Sequence, residues 1–204
     1  MSVAQPLPHD AAHLHVTGAA RYVDDTPTPA GTLHLAFGIS DAACGTLNGM
    51  DLNAVRAAPG VVAVLTADDL PFDNDVSPSA HDEPLLATDA VHYMGQPVFL
   101  VIADTHLRAR CAARLGKIDV TETTPIFSIE DALAADARFE DGPRIYERGN
   151  AQSALGGAEH RLTGRLHIGG QEHFYLDGQA ALAMPGEDGG MHVITSAQHP
   201  TGVR

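Results

Sequence analysis

The residues with the clearest chemical potential lie near position 170, where Gly169 and Gly170 precede Gln171, Glu172 and His173. Two consecutive glycines let the backbone bend or come close to another group. A glutamine beside them offers a neutral amide donor, which can hydrogen-bond a metal-oxo oxygen without adding charge. Glu172 and His173 have acid–base side chains. Taken alone, these residues are more typical of a β-bulge than of a cofactor contact.

Two other groups carry side chains that bind metals. His9 and His13 would share a face if the N-terminal arm, which also holds His15, were helical. No cysteine or paired carboxylate completes that set, so a polar arm is the favoured interpretation. Asp24 and Asp25 could bind a hard cation. Their position before a Thr-Pro pair instead favours a turn held by side-chain to backbone hydrogen bonds.

Two polar loops lie near the middle of the chain. His81, Asp82 and Glu83 are acid–base types within the irregular, proline-rich stretch 71–84, where the pattern shows no residue to orient them. We therefore expect them to be solvated, although loops do carry function. Residues 93–97 precede an apolar run. Their glycine allows a tight approach and their proline fixes the strand entry, which predicts a turn.

The first 125 residues alternate short apolar runs with two helix signals. The second helix, over residues 104–115, is capped by Asp104 or Thr105 and has a predicted buried face of Leu107, Cys111 and Leu115, spaced four apart. The first helix covers residues 51–58, with Asp51 as its N-cap. The order strand, helix, strand, strand, helix, strand is typical of an α+β or split βαβ fold. The strands are predicted at residues 33–39, 61–66, 98–103 and 117–120.

The rest of the chain reads as a connection followed by a second sheet. Ser128 begins a short helix with a capping-box-like spacing to Asp131, which residues 141–143 end, and a second helix covers residues 150–155. Apolar residues then alternate with polar ones over 161–168, which predicts a strand with one buried face. Further strands at 180–184 and 191–196 flank a hairpin loop. The sheet lacks neighbouring elements, so we expect the chain to be part of a longer protein.

Composition excludes several classes of function. The 204 residues are 44% hydrophobic and 19% charged, as in an ordinary soluble protein, with a formal net charge of −14 that argues against a nucleic-acid partner. The start has no secretory signal, and no stretch approaches a membrane-spanning length, so we expect a cytoplasmic protein. Cys44 lies in a small-residue loop, and Cys111 is expected to be a buried apolar filler. Neither belongs to a Cys-x-x-Cys pair, which argues against an iron–sulfur cluster within this chain.

Four segments, in order, resemble the large chain of the molybdenum hydroxylases, the xanthine dehydrogenase and aldehyde oxidase family. Each is weak alone, but together they are specific, and the resemblance runs from about residue 8 to the end. The last segment, with Gln-His-Pro at 198–200, is most similar to the xanthine dehydrogenase branch. The four segments are residues 15–25 (HVTGAARYVDD), 59–69 (PGVVAVLTADD), 93–98 (YMGQPV) and 169–176 (GGQEHFYL).

The resemblance implies an α+β fold in two parts. Residues 16–125 would form the α/β hammerhead domain of the family. Residues 159–204 would begin a molybdopterin-binding domain, truncated at its end. An extended arm over residues 1–15 and a linker with short helices over 126–158 complete the predicted organisation.

The resemblance also implies an activity for the complete enzyme. It would hydroxylate hypoxanthine and xanthine to urate with oxygen derived from water. Electrons would pass from a molybdenum–molybdopterin cofactor to 2Fe-2S clusters and FAD on a small partner subunit, and then to NAD. A homodimer of heterodimers is the expected assembly.

Within this chain the resemblance assigns one contact to the cofactor. Gln171 would hydrogen-bond an oxo ligand of molybdenum, and Gly169 and Gly170 would allow the close approach. The family's general base and purine-orienting residues would lie beyond residue 204, so the isolated chain is expected to be inactive. Asp177 replaces a more usual glutamate, Val120-Thr121 stands where the family often has Tyr-Glu, and residues 202–204 do not continue the pattern.

Two alternatives remain open at this point. The substrate could be an aldehyde or another N-heterocycle, because the residues that set substrate choice are not in this chain. Alternatively, residues 16–125 could fold alone and serve only as a packing and interface module.

Overall fold

The computed structural model describes residues 3–77, 81–138 and 144–198. Its residues group into two compact units, one of residues 1–122 with 174–204 and one of residues 123–173. The helices are α1 (Ala12–Thr17), α2 (Asn53–Arg56), α3 (His106–Ala113), α4 (Ile129–Ala134) and α5 (Ala151–Gly157), with 3₁₀ turns at Val23–Asp25 and Ala67–Asp69. The strands are β1 (His34–Ile39), β2 (Gly45–Asp51), β3 (Val61–Leu65), β4 (Ala90–Val91), β5 (Pro97–Ala103), β6 (Lys117–Glu122), β7 (Ala181–Pro185) and β8 (Met191–Thr195).

Two three-stranded antiparallel sheets build most of the first unit. One has the order β1-β5-β3, and the other has the order β4-β2-β6. The central strand β5 is apolar along its length and buried at five of its seven positions, as a strand covered on both faces requires. Its neighbours β1 and β3 are less buried: one residue of β1 and none of β3 is fully buried. The mixture of helices and antiparallel sheets confirms the predicted α+β class.

The side chain of Phe99 fixes the spacing between β1 and the end of α3. Phe99 lies opposite Gly38 in the β1–β5 register and is only 1% exposed. A methyl group added to Gly38 or to Gly116 would overlap the Phe99 ring, so both glycines are required by close approach. Leu52 borders Gly116 on the same side. The ring therefore fills the space that two absent side chains leave.

Helix α3 packs on β1 and β5 through small side chains. Ala109, Ala112 and Ala113 are its buried residues, at 0%, 2% and 9% exposed. The predicted N-cap at Thr105 is confirmed, because its hydroxyl accepts the N–H of Arg108 at 3.3 Å. Alanine methyl groups let the helix lie close to the sheet above Phe99.

The predicted buried face of this helix was wrong. Leu107 is 72% exposed and Leu115 is 47% exposed. Cys111 is also exposed, so it is not the buried filler that its alanine neighbours suggested. The interpretation took the largest apolar side chains at a spacing of four as the buried set. The buried residues are instead the small alanines, of which Ala112 and Ala113 belong to the same core cluster as Phe99.

The predicted strands of the first half are present within one or two residues, but two strands were missed. The strand β2 has a polar sequence with glycines at Gly45 and Gly49, and β4 is two residues long, so neither shows an apolar run. Asp51 ends β2 instead of forming the N-cap of α2. Its carboxylate accepts the N–H of Asn53 at 3.1 Å just before that short helix.

The predicted extended arm is partly helical. Residues 12–17 form α1, which ends where Gly18 adopts a φ of 73° and donates its N–H to the carbonyl of His15 at 3.4 Å. That left-handed conformation suits glycine at a helix end. His9 precedes the helix and His13 lies within it, so the two do not share a helical face.

Past residue 122 the predicted helices and the hairpin are present. Ser128 caps α4 by accepting the N–H of Asp131 at 3.0 Å, and Asn150 caps α5 by accepting the N–H of Ser153 at 2.8 Å. The strands β7 and β8 pair as predicted. The helix α4 ends at Ala134; the predicted stop at 141–143 lies outside the described residues.

The strand predicted at residues 161–168 is not formed. This segment has no regular secondary structure, and Leu162, Leu166 and Ile168 are each at least 79% exposed. A period-two pattern specifies which face a strand would bury, but a strand needs a neighbour to supply its hydrogen bonds. No described residue pairs with this segment as a strand.

Substituting alanine for Gly38 tests the role of Phe99. We expect Gly38→Ala to lower the free energy of unfolding by about 1–3 kcal/mol, because the added methyl group overpacks the core. Gly164→Ala is the matched control. Its methyl group meets no atom within 4 Å, and its change should stay within about 0.5 kcal/mol. Urea unfolding measures both values. Equal effects of the two substitutions would show that the ring tolerates a side chain at Gly38.

Candidate functional site

The Gly169-Gly170-Gln171 segment lies in a stretch without regular secondary structure. A methyl group added to either glycine would meet no atom within 4 Å, and Gln171 is exposed. Because no strand forms here, the β-bulge interpretation was wrong. The side chain of Gln171 has no hydrogen bond to the described part of the chain. Bare backbone and a neutral amide are thus open to an incoming group.

The chain that follows is anchored to the end of the β7–β8 hairpin. The Ser196 hydroxyl donates to the carbonyl of Gly178 at 2.9 Å and accepts the N–H of Ala180 at 3.2 Å. The Gln198 amide donates to the Tyr175 hydroxyl at 2.6 Å. These bonds connect the residues just after Gln171 to β8 and to the Gln-His-Pro motif noted in the sequence.

No complete metal site exists among residues 3–77, 81–138 and 144–198: they hold no group of three or more histidine, cysteine, aspartate or glutamate side chains suited to one ion. The turn interpretation of Asp24 and Asp25 is confirmed. Both lie in the 3₁₀ turn, where the Asp25 carboxylate accepts the N–H of Tyr22 at 3.0 Å. The residue types near 170 fit a molybdenum cofactor as one hydrogen-bond donor. They do not supply a ligand set.

The segment 93–97 is the predicted turn, and its glutamine has a structural role. Gly95 has a φ of 91°, and the N–H of Gln96 reaches the carbonyl of Tyr93 at 3.2 Å. The Gln96 side chain is 2% exposed, and its oxygen accepts the N–H of His92 at 2.7 Å. The Gln96 amide is therefore buried and hydrogen-bonded within the turn, so it is not accessible to a ligand.

The loop around His81 is more organised than the sequence indicated. We predicted no residue to orient His81, which was wrong, because its imidazole contacts the Asp75 carboxylate. Asp75 also accepts the N–H of Ser77 at 2.9 Å. The Ser77 hydroxyl in turn accepts the N–H of Glu83 at 2.8 Å. Contacts across six residues of irregular chain leave no periodic signal, so sequence patterns could not have found them.

Electrostatics in this loop favours the charged pair. The hydroxyl of Ser77, the His81 imidazole and the N–H of Ser77 lower the pKa of Asp75 from 3.8 to about 2. The hydrogen bond and charge of Asp75 raise the pKa of His81 above 6.5. The His81 side chain is 82% exposed. The geometry is that of an exposed ion pair between residues six apart in the chain.

The pH dependence of this pair follows from the two shifts. The stabilisation from Asp75 is present above pH 3.8 and is lost as the pH falls toward 2. That from His81 is present below pH 6.5 and is lost as the pH rises through its raised pKa. We expect Asp75→Asn to return the pKa of His81 toward 6.5 in an NMR titration of the ring protons. Asp82→Asn is the control and should lower it less, because the charge of Asp82 is the smallest of the causes that raise the pKa of His81. Equal effects of the two variants would contradict the contact with Asp75.

No helix in the described parts of the chain has the length and apolar character needed to cross a bilayer.

Comparison with known proteins gives two family matches. The model described as "Aldehyde oxidase and xanthine dehydrogenase, a/b hammerhead domain" matches residues 17–124. That described as "Molybdopterin cofactor-binding domain" matches residues 138–204.

Curated relatives and solved structures agree with these matches. The chain is 38% identical to the xanthine dehydrogenase of Oryza sativa subsp. japonica over 98% of its length, and 40% identical to aldehyde oxidase 1 of Rattus norvegicus over 97%. It spans about 15% of the length of each of these relatives.

The aldehyde oxidoreductase from Desulfovibrio gigas is similar in structure, with a TM-score of 0.72 and 28% identity; the match covers 91% of this chain and 23% of that one. The quinoline 2-oxidoreductase from Pseudomonas putida 86 shares the fold, with a TM-score of 0.79, 22% identity and coverage of 98% of this chain and 28% of that one. The resemblance seen in the sequence is thereby confirmed. Because the hammerhead model alone matches more than half of the residues, the chain belongs to the family of aldehyde oxidases and xanthine dehydrogenases.

Proposed function

We propose that this chain is part of the molybdenum-binding subunit of a xanthine dehydrogenase. It would contribute the hammerhead domain and one contact to the cofactor. The observation that carries the proposal is the open Gly169-Gly170-Gln171 segment, which lies within the range of the molybdopterin-binding match. The complete enzyme would hydroxylate hypoxanthine and xanthine to urate.

Gln171 is the residue proposed to touch the cofactor. Its amide N–H would donate a hydrogen bond to an oxo ligand of molybdenum, where a neutral donor stabilises negative charge without adding a counter-charge. Gly169 and Gly170 would give that group room to approach, because no side chain stands on either. When bound, the molybdenum cofactor supplies the two-electron oxidation of the substrate. Glu172 and His173 are not proposed as acid and base.

Positioning of this amide would come from the chain around it. The bonds from Ser196 to Gly178 and from Gln198 to Tyr175 hold the residues that follow Gln171. A hydrogen-bond donor to a bound group is effective only when its own geometry is fixed by surrounding contacts.

The electron acceptors are proposed to lie on a partner. This chain has two cysteines, widely separated in sequence, so the four cysteine ligands of a 2Fe-2S cluster would come from residues outside it. A small subunit with 2Fe-2S clusters and FAD would pass electrons to NAD. A homodimer of these heterodimers is the proposed assembly.

An aldehyde oxidase-type subunit is the second candidate. It is favoured by the 40% identity to the rat aldehyde oxidase, which is comparable with the 38% identity to the rice xanthine dehydrogenase. The glycine pair and Gln171 are compatible with either candidate. They differ in substrate, so activity must separate them.

Molybdenum content and substrate oxidation test the proposed division of labour. We expect the isolated 204-residue chain to bind no stoichiometric molybdenum, because its described residues offer a single donor and no ligand set. The longer subunit purified with its partner should contain molybdenum and reduce NAD with hypoxanthine. Elemental analysis and absorbance of NADH provide the measurements. Faster turnover of an aldehyde would favour the second candidate, and stoichiometric metal on the isolated chain would overturn the assignment of the remaining site to other residues.

Replacing Gln171 tests the proposed contact directly. In the complete enzyme we expect Gln171→Ala to lower kcat roughly tenfold to hundredfold while molybdenum content is retained, as for other groups that orient a metal's ligands. Gln152→Ala is the matched control, since Gln152 is an exposed glutamine on α5, and it should leave kcat unchanged. If both variants keep full kcat, Gln171 does not contact a ligand that takes part in turnover.

A further inference from the structure

A groove of about 490 Å³ lies between β1, α3 and the residues that lead into β6. It belongs wholly to the first compact unit. The strand β1 is at the edge of its sheet, with β5 on one side and no strand on the other in the described part of the chain. An edge strand presents backbone N–H and C=O groups that another extended chain can pair with.

One wall of the groove is apolar and exposed. Leu35, Phe37 and Ile39 are 56%, 45% and 50% exposed and recur at every second residue of β1. Gly38, which lies between two of them, is buried against Phe99. Three large apolar side chains in one row form a continuous exposed surface. Exposed apolar residues on a protein surface are usually scattered singly.

The other wall is basic. His106 and Arg110 on α3 and Arg114 just after its end are spaced four apart and line the groove together, opposed by the single lining carboxylate of Asp41. Arg108 on the same helix is paired with Asp104, whereas Arg110 and Arg114 have no salt bridge with any described residue. This concentration of positive charge is local, since the whole chain has 26 acidic residues against 12 lysines and arginines.

We propose that this groove docks an extended, acidic segment of a partner protein, which adds to β1 as a further strand. Alternate side chains of such a segment point to opposite faces. One set would cover Leu35, Phe37 and Ile39, and carboxylates of the other would pair with Arg110 and Arg114. Acidic partners fit the basic wall by charge complementarity, which also steers association.

A second copy of this chain fits the groove less well. Symmetric pairing of β1 with β1 is isologous, so each copy would bring the same surface to the contact. Arg110 and Arg114 of each copy would then approach the same arginines of the other, and like charges oppose association. The charge pattern therefore favours a different, acidic chain.

The test uses the full 204-residue chain and a short fluorescein-labelled peptide in which glutamate and valine alternate. We expect saturable binding by fluorescence polarisation that weakens as salt is raised. A peptide in which lysine replaces glutamate should bind at least about tenfold more weakly, the loss expected when charge-assisted contacts are removed. Methylating the alternate backbone nitrogens that face β1 should abolish binding, whereas methylating the other set should not.

Charge reversal on the helix locates the site. We expect the double substitution Arg110→Glu and Arg114→Glu to weaken binding at least about tenfold. Arg148 is an exposed arginine outside the groove. Arg148→Glu should therefore change the dissociation constant by less than about twofold, which is well below the effect of losing one charge-assisted contact. Matching urea unfolding curves would show that the variants are folded. Any of three results would overturn the proposal. These are equal binding of the acidic and basic peptides, unchanged binding by the double variant, and a dimer in sedimentation that the double substitution converts to monomer.

Discussion

The placement of one aromatic ring constrains most of the first unit. Phe99 lies on the central strand, and its ring occupies the space beside Gly38 and Gly116. A close-packed interior has no spare volume for side chains at these positions. The helix α3 can then approach only through alanines, so its larger residues face outward. The same constraint orients β1: with Gly38 against the ring, the period of two sends Leu35, Phe37 and Ile39 the other way. An exposed apolar row is thus the consequence of a tightly filled core.

This constraint also explains which parts of the fold could be predicted from sequence. Continuous apolar runs identified β3 and β5, and in β5 the run reflects burial on both faces, which leaves a signal within the strand itself. The capping residues Thr105 and Ser128 marked helix starts, because their hydrogen bonds reach only three residues along the chain. The buried face of α3 could not be predicted, since it consists of small alanines that pack on strands distant in sequence. The strand β2 could not be predicted either, because its polar and glycine residues acquire strand geometry only by pairing with β6.

The candidate site divides in the same way. A family resemblance identified Gly169-Gly170-Gln171 from residue types and their order. That was possible because the motif occupies three consecutive positions. Their geometry was not predictable, because a strand at 161–168 depends on a neighbour that its own residues do not supply. The contact between Asp75 and His81 is a further case. A carboxylate six residues away carries no periodic or motif signal, and only the closed loop brings it to the imidazole.

A single neutral donor can serve a bound cofactor only if its approach is held in place. Gln171 is exposed and has several rotatable bonds, so ordering its side chain costs about 1.5–2 kcal/mol. That cost is comparable with what one hydrogen bond to a charged group returns. The residues after Gln171 are already held by Ser196 and Gln198, whereas those before it lie outside any strand. The net gain of the proposed contact would therefore depend on ordering residues 161–168. Because their alternating pattern already specifies one apolar face, a neighbouring sheet that buries Leu162, Leu166 and Ile168 would supply that order and place the amide in the same step.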